Sequence, residues 1–149
     1  MSFPFSSYDV FICRDTDSRP GLRDMWCVEE WLKSNKTYHI VRDGVTQKSA
    51  HYKHVQGGLI GFKTAGDKGI LKNKIIDFMI KNKDGRYAVD EEFLNNECYE
   101  IMKQDALIHC TKFNHFEKEA ILIPDELKQE KGHYMGQKIL DNGIPLMPV

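Results

Sequence analysis

Several features that would assign a function class directly are missing from this sequence. There is no excess of charge of one sign, because the formal net charge is -1 and the pI is about 6.6, so composition gives no electrostatic reason to bind nucleic acid or a membrane surface. No apolar run approaches the ~20 residues that a membrane-spanning helix needs. The first ten residues, MSFPFSSYDV, lack the basic start and apolar core of a signal peptide. We therefore expect no nucleic acid partner and no transmembrane segment.

The signature motifs of several large enzyme families are also absent. The chain contains no GxGxxG or P-loop sequence, no GxSxG elbow, no HExxH helix and no CxxC pair, which leaves dinucleotide oxidoreductases, P-loop NTPases and serine hydrolases without support. The four cysteines (Cys13, Cys27, Cys98 and Cys110) are spread along the chain. That spread is typical of buried, reduced thiols rather than of a disulfide or zinc framework, and it predicts a cytoplasmic protein.

What the sequence does contain is the pattern of one α/β domain covering residues 1–149. Its 41% hydrophobic and 29% charged residues are ordinary for a soluble domain. We expect strands at about 8–13, 38–42, 106–110 and 120–123, a glycine-lined turn entering a strand within 55–63, a loop at 65–69, and helices at about 22–34, 70–83 and 90–104. The predicted apolar faces of these helices are Met25, Val28, Trp31 and Leu32, then Leu71, Ile75, Phe78 and Met79, then Phe93, Leu94, Cys98, Ile101 and Met102.

The sequence RDTDSR directly follows the first expected strand. Its carboxylates are Asp15 and Asp17, and its guanidiniums are Arg14 and Arg19. Carboxylates just past a buried strand lie at the rim of an open α/β sheet, where ligands bind. Paired carboxylates suit a divalent cation, and guanidiniums suit the phosphates that the cation carries. A metal and nucleotide-diphosphate site is one interpretation, and an ordinary solvated loop is the other.

Other polar or small residues stand where expected elements begin or end. His109 closes the strand at 106–110, where it is either a partly buried histidine or a third metal ligand. Arg42, at the end of the second strand, could complement phosphate or sugar hydroxyls. Gly57 and Gly58 mark either a bulge or a place of close approach for a ligand.

Asp90 and Glu91 open the last expected helix. Their simplest role is to cap the positive helix N-terminus. The alternative is a catalytic or sugar-binding carboxylate. The sequence by itself leaves both roles open.

Taken in order, these motifs resemble a group of GT-A-type glycosyltransferases of bacterial surface-polysaccharide clusters and large DNA viruses. The family pattern is approximately RDxDSR, then EWL, HxMRD, an HP-containing turn, GGMWG, DQxFL, a strand ending in histidine, and VGQ. This chain departs from it in two motifs, because GVTQKSAHYKH replaces the HP-containing turn and GGLIG lacks the tryptophan. The corresponding segments here are RDTDSR at 14–19, EWLKS at 30–34, HIVRD at 39–43, GGLIG at 57–61, DEEFL at 90–94, LIH at 107–109 and YMGQ at 134–137.

The resemblance implies a partial GT-A-like (Rossmann-like) mixed sheet flanked by helices, corresponding to the metal-binding and acceptor half of such an enzyme. It implies transfer of a sugar from a nucleotide-diphosphate donor to a glycan or polysaccharide acceptor, with Mn²⁺ or Mg²⁺ as cofactor. Carried over by position, it assigns metal ligands (Asp15, Asp17, His109, with Asp17 the more direct of the two aspartates), donor or phosphate contacts (Arg14, Arg19, Arg42, Gly57, Gly58) and catalytic carboxylates (Asp90, Glu91).

The main departure from the family lies at the N-terminus. GT-A folds place a βαβ half, which needs about 30 residues, before the metal-binding strand, whereas seven residues precede Tyr8. A longer chain or a separate polypeptide would then supply that half, or the chain is a degenerate remnant. Two rival functions remain: a non-catalytic module that binds a sugar nucleotide or another subunit, and a metal-dependent phosphohydrolase.

Overall fold

A computed structural model describes residues 8–43, 53–83, 85–86, 89–111, 116–127, 135 and 140–141. In chain order the elements are β1 (Val10–Cys13), α1 (Leu22–Lys33), β2 (Tyr38–Arg42), β3 (Ile60–Lys63), α2 (Thr64–Asp67), α3 (Ile70–Lys81), α4 (Val89–Phe93), a π-helical turn (Leu94–Cys98), α5 (Tyr99–Met102), a 3-10 turn (Lys103–Asp105), β4 (Ala106–Cys110), β5 (Ile121–Leu122) and a second 3-10 turn (Asp125–Leu127). The expected lead-in at 1–7 and nearly all of the YMGQ segment lie outside the described residues.

The strands form one five-stranded mixed sheet in the order β1-β3-β2-β4-β5. β3 is antiparallel to both β1 and β2, whereas β2, β4 and β5 pair in parallel. β1, β2, β4 and β5 therefore all point the same way, and their carboxyl ends share one edge with the start of β3. The predicted α/β class and mixed sheet flanked by helices are confirmed.

One face of the sheet carries the main hydrophobic core. Side chains that alternate along the strands, such as Ile40, Phe62 and Ile108, point to this face. They form one buried cluster with Leu71 of α3 and Met102 of α5. The predicted apolar faces of these two helical segments are confirmed in their central residues, although Met79 at the edge of the α3 stripe is 36% exposed.

The opposite face is covered by α1 through Trp31, which is fully buried. A Cβ atom added to Gly61 of β3 would lie 2.9 Å from the Trp31 ring. Because glycine removes that overlap, the indole lies directly on the strand. Gly61 therefore has a packing role in the interior of β3.

The predicted apolar face of α1 is wrong in part. Met25 is 54% exposed and Leu32 is 45% exposed, whereas Arg23 and Asp24 are buried beside Trp31. Arg23 pairs with Asp43, and Asp24 with Arg14. Since hydrophobic periodicity takes no account of buried ion pairs with distant residues, the sequence pattern pointed to a neighbouring face of the helix.

The expected loop at 65–69 is also wrong, because α2 occupies most of it. Asp67, the last residue of α2, accepts hydrogen bonds from the N–H groups of Leu71 (2.8 Å) and Lys72 (3.1 Å) and from the hydroxyl of Tyr38 (2.7 Å). This carboxylate caps the start of α3 and ties it to β2. In the part of the chain described, no helix is long and apolar enough to cross a membrane.

Candidate functional site

The edge of the sheet where the parallel strands end brings together most of the residues predicted from RDTDSR, GGLIG and DEEFL. Cys13 of β1 is in register with Ile60 of β3, so the residues after β1 lie beside those before β3. A Cβ atom on Gly58 would lie 2.5 Å from Cγ of Asp15. The Asp15 carboxylate therefore occupies space that any side chain at position 58 would fill.

The neighbouring glycine faces the other predicted carboxylates. A Cβ atom on Gly57 would lie 3.8 Å from Oδ2 of Asp90 and 3.8 Å from Cγ of Glu91. The turn at Gly57 and Gly58 thus separates Asp15 from the first turn of α4. We call Asp15, Asp17, Asp90 and Glu91, with this turn, the acidic rim.

The neighbouring carboxylates affect the ionisation of Asp15. Partial burial raises the pKa of Asp15, the negative charges of Asp17, Asp90 and Glu91 raise it further, and the positive charge of Arg14 lowers it. Like charges that close disfavour ionisation. The acidic rim is therefore a region of negative potential that a cation would stabilise.

The two carboxylates of α4 differ in their surroundings. Glu91 forms an ion pair with Lys53, with 2.6 Å between Oε2 and Nζ. Asp90 is exposed, and its Oδ1 accepts a hydrogen bond of 2.9 Å from the Glu91 N–H group. Lys53 was not predicted as a site residue, and no motif around it in the sequence points to this pairing.

Two of the predicted phosphate-binding arginines are held in ion pairs. Arg14 donates from Nε and Nη2 to Asp24 at 3.0 and 2.6 Å. Arg42 donates from both terminal nitrogens to Glu117 at 2.5 and 2.9 Å. Burial alone would raise the pKa of Glu117, but the hydrogen bonds from Arg42 and Tyr99 hold it below its usual value. Arg19 is exposed and has no ion pair with another described residue.

The structure places His109 apart from the acidic rim, on the α1 face of the sheet. Its side chain is fully buried, and its Nδ1 lies 2.9 Å from Nε2 of His39. The His39 ring stacks on Trp31 at 5.1 Å, and the His109 ring meets Trp26 edge-on at 5.3 Å. Burial lowers the pKa of His109 to about 4, and burial together with His109 lowers that of His39 to about 2. We call these four side chains the histidine layer.

Asp15, Asp17 and His109 do not form a three-ligand metal site. Among the described residues, no group of three or more histidine, cysteine, aspartate or glutamate side chains is arranged to hold a metal ion. Asp15 and Asp17 nevertheless fit Mg²⁺ or Mn²⁺, because such ions commonly take one or two carboxylates and complete their shell with water and phosphate oxygens. His109, which lies against His39, is not grouped with the two aspartates, and metal binding by Asp15 and Asp17 stays a prediction.

Asp43 is a buried residue at the same edge whose role sequence reasoning missed. It directly follows β2, and its carboxylate accepts hydrogen bonds from Arg23 (2.7 Å), from the Thr111 hydroxyl and from the Met135 N–H group (2.7 Å). It therefore joins α1, the residue after β4 and position 135. Its place in HIVRD was the only sequence indication.

Comparisons of the chain with protein-family models, curated proteins and solved structures found no match in any of them. The functional interpretation of the acidic rim accordingly rests on its residues and their geometry.

Proposed function

We propose that this chain is the metal-binding and acceptor part of a GT-A-like glycosyltransferase, which transfers a sugar from a nucleotide-diphosphate donor to a glycan or polysaccharide. The observation that carries the proposal is the contact of the Asp15 carboxylate with Gly58, while Gly57 lies against Asp90 and Glu91. Residues predicted from three separate sequence motifs converge at one edge of the sheet. That edge is where open α/β sheets bind ligands.

In this proposal Asp15 and Asp17 would hold the divalent cation, and the cation would supply the positive charge that a departing diphosphate needs. Asp90 is exposed at the other side of the glycine turn, where it orients the acceptor hydroxyl or takes its proton. Glu91, paired with Lys53, contributes a fixed charge.

The pairing of the arginines makes the proposed reaction strictly dependent on the cation. Arg14 and Arg42 already neutralise Asp24 and Glu117, which leaves Arg19 as the exposed guanidinium of the predicted set. A free diphosphate would meet the carboxylates of the acidic rim without compensation. We therefore expect nucleotide sugars to bind with Mn²⁺ and not without it.

Calorimetry of the full chain with UDP- and GDP-sugars, with and without Mn²⁺, tests the proposal. Asp17→Asn should abolish Mn²⁺-dependent binding. Asp77→Asn, which changes an exposed aspartate of α3, is the matched control and should leave it unchanged. Equal Mn²⁺-dependent binding by Asp17→Asn would exclude the predicted metal site, and absence of binding by the wild-type chain would count against a complete donor site within this chain.

A second candidate, a module that binds another subunit, is favoured by the surface beside the edge strand β1. An open groove of about 660 Å³ lies there, and its lining includes Ile12, Leu22 and Met25. These apolar residues are 44%, 67% and 54% exposed, and all three line the groove beside the edge strand. Nucleotide-sugar binding without turnover, gained only when a partner polypeptide is added, would favour this candidate. Release of phosphate without any acceptor would instead favour the phosphohydrolase.

A further inference from the structure

Asn95, in the helical segment behind the turn of Gly57 and Gly58, is hydrogen-bonded to Val55, which leads into that turn. Asn95 accepts a hydrogen bond from the Val55 N–H group through Oδ1 (3.0 Å) and donates from Nδ2 to the Val55 carbonyl (2.8 Å). The same Nδ2 donates to the Glu91 carbonyl at 2.9 Å. The oxygen and the nitrogen of the Asn95 amide therefore both have partners. Asn95 pairs with the backbone of Val55 in the same way as a residue of a neighbouring strand would.

The other end of the turn is attached to the sheet. The Leu59 N–H group donates to the Gln56 carbonyl at 3.0 Å and closes the turn, and the Leu59 carbonyl accepts from the Val41 N–H group at 3.0 Å. The glycines therefore lie between one fixed point on β2 and one on the helix. A side chain also links this segment to β2, because Nε of Arg42 donates to the His54 carbonyl at 2.7 Å.

Asn95 occupies a position in the helix that supports a specific role. It lies within the π-helical turn Leu94–Cys98 that follows α4, and such turns are frequent at functional sites. Leu94, the residue before it, packs at 3.8 Å from the Cβ position of Gly57. Asn96, the residue after it, is exposed.

From this geometry we infer that Asn95 is a positioning residue, which sets the place of the Gly57–Gly58 turn between Asp15 and the carboxylates of α4. The effect of this placement on cation binding rests on the proposed function. The placement itself does not. Loss of the amide leaves the buried Val55 N–H and carbonyl groups without these partners, and the ion pair of Lys53 with Glu91 then remains as a link between this segment and the helix.

Three variants of the full chain test the inference. Asn95→Ala removes both hydrogen bonds to Val55, whereas Asn95→Asp keeps an acceptor for the Val55 N–H group. Asn96→Ala is the matched control. Nuclear magnetic resonance would follow amide exchange at Val55 and the backbone resonances of Gly57 and Gly58 at one pH. Binding of Mn²⁺ alone would be measured in parallel.

In Asn95→Ala we expect exchange at Val55 to accelerate on the order of tenfold, both glycine resonances to shift, and Mn²⁺ affinity to fall several-fold. Asn95→Asp should restore part of the protection at Val55, because its second carboxylate oxygen faces the Val55 and Glu91 carbonyls that Nδ2 contacted. Asn96→Ala should change none of these. Unchanged glycine resonances in Asn95→Ala would overturn the inference, because Asn95 would then secure Val55 alone. A wild-type chain that binds no Mn²⁺ would count against the proposed function, while the glycine resonances would still decide the role of Asn95.

Discussion

The acidic rim and the histidine layer respond in opposite ways to the same physical problem. In both, groups that take the same charge lie close together. At the rim, neighbouring carboxylates raise the pKa of Asp15. In the layer, burial and the partner ring lower the pKa of His39 to about 2. The aspartates of the rim are exposed, whereas His39 and His109 are fully buried and, with pKa values of about 2 and 4, are neutral at pH 7.

This difference separates binding from stability. A charged group at a surface can be stabilised by a ligand of opposite charge, whereas a buried histidine pair is stable only in the neutral form. The sequence had grouped Asp15, Asp17 and His109 in one predicted metal site. Their burial differs, because His109 is buried and the two aspartates are exposed. Substitutions in the histidine layer should therefore change the free energy of unfolding, and substitutions in the acidic rim should change cation binding.

The largest effect is expected from Trp31→Ala. Trp31 is fully buried against Gly61 and His39, so its truncation should lower the free energy of unfolding by about 3–5 kcal/mol. Leu22→Ala on the same helix removes a side chain that is 67% exposed and should cost less than about 0.5 kcal/mol. Urea unfolding measures both, and equal losses would show that α1 is not held through its tryptophan.

The next effect concerns Gly58→Ala in the acidic rim. The added methyl would lie 2.5 Å from the Asp15 carboxyl, so that side chain must move, and Mn²⁺-dependent transfer should fall on the order of 100-fold. Gly57→Ala is the matched control, because its nearest contacts are at 3.8 Å. Initial-rate assays on both variants compare them. Similar losses would show that the close approach at Gly58 is not the critical feature.

The histidine layer predicts a loss of stability in mild acid. The folded-state pKa values of about 4 for His109 and about 2 for His39 lie below the ordinary value near 6.5. Below about pH 6.5 the unfolded chain binds protons that the folded chain does not, so stability falls with pH. Between about pH 6.5 and 5 we expect a loss of about 2 kcal/mol for each histidine, measured by urea unfolding.

The double variant His39→Leu with His109→Leu separates this effect from other titrations. Because leucine does not titrate, the slope of stability against pH between 6.5 and 5 should become shallower, whatever the absolute stability of the variant. Asp15 acts in the opposite direction, since its raised pKa means that protonation at lower pH relieves repulsion in the folded state. An unchanged slope in the double variant would assign the acid sensitivity to other groups.

The smallest effect is expected from Lys53→Met. The side chains of Lys53 and Glu91 are 35% and 28% exposed, so loss of their ion pair should change stability by less than about 1 kcal/mol. It should also make the acidic rim more negative and strengthen Mn²⁺ binding about twofold. Lys74→Met removes the exposed pair with Glu97 and should leave Mn²⁺ binding unchanged. Weaker Mn²⁺ binding by Lys53→Met would mean that Lys53 itself assists the site.

Much of the fold followed from local patterns. β2 and β4 lie at the predicted residues, because continuous apolar segments of this length have few other stable conformations beside polar boundaries. The face of α1 was not predictable in the same way. It depends on Asp43 and Arg14, which lie outside the helix and bury Arg23 and Asp24 through ion pairs.

The candidate site likewise has residues that the sequence predicted and contacts that it did not. Asp15, Gly58 and Asp90 were identified from motifs, and the structure brings them to one edge. The pairing of Arg42 with Glu117 joins residues 75 positions apart, and that of Asn95 with Val55 joins residues 40 apart. Neither has a sequence pattern, because side-chain partners at such separations are set by how the elements pack.

By itself, the sequence determined where the strands and most helices form, which thiols lie inside, and which carboxylates stand at the sheet edge, since periodicity and element ends are local properties. Only the tertiary structure decided which polar groups pair with one another through ion pairs or hydrogen bonds. It buried His109 against His39, engaged Arg14 and Arg42 in ion pairs, and left the carboxylates of the acidic rim exposed around two glycines. Burial and charge pairing are properties of the packed chain, and they separate a binding site from a buried polar layer.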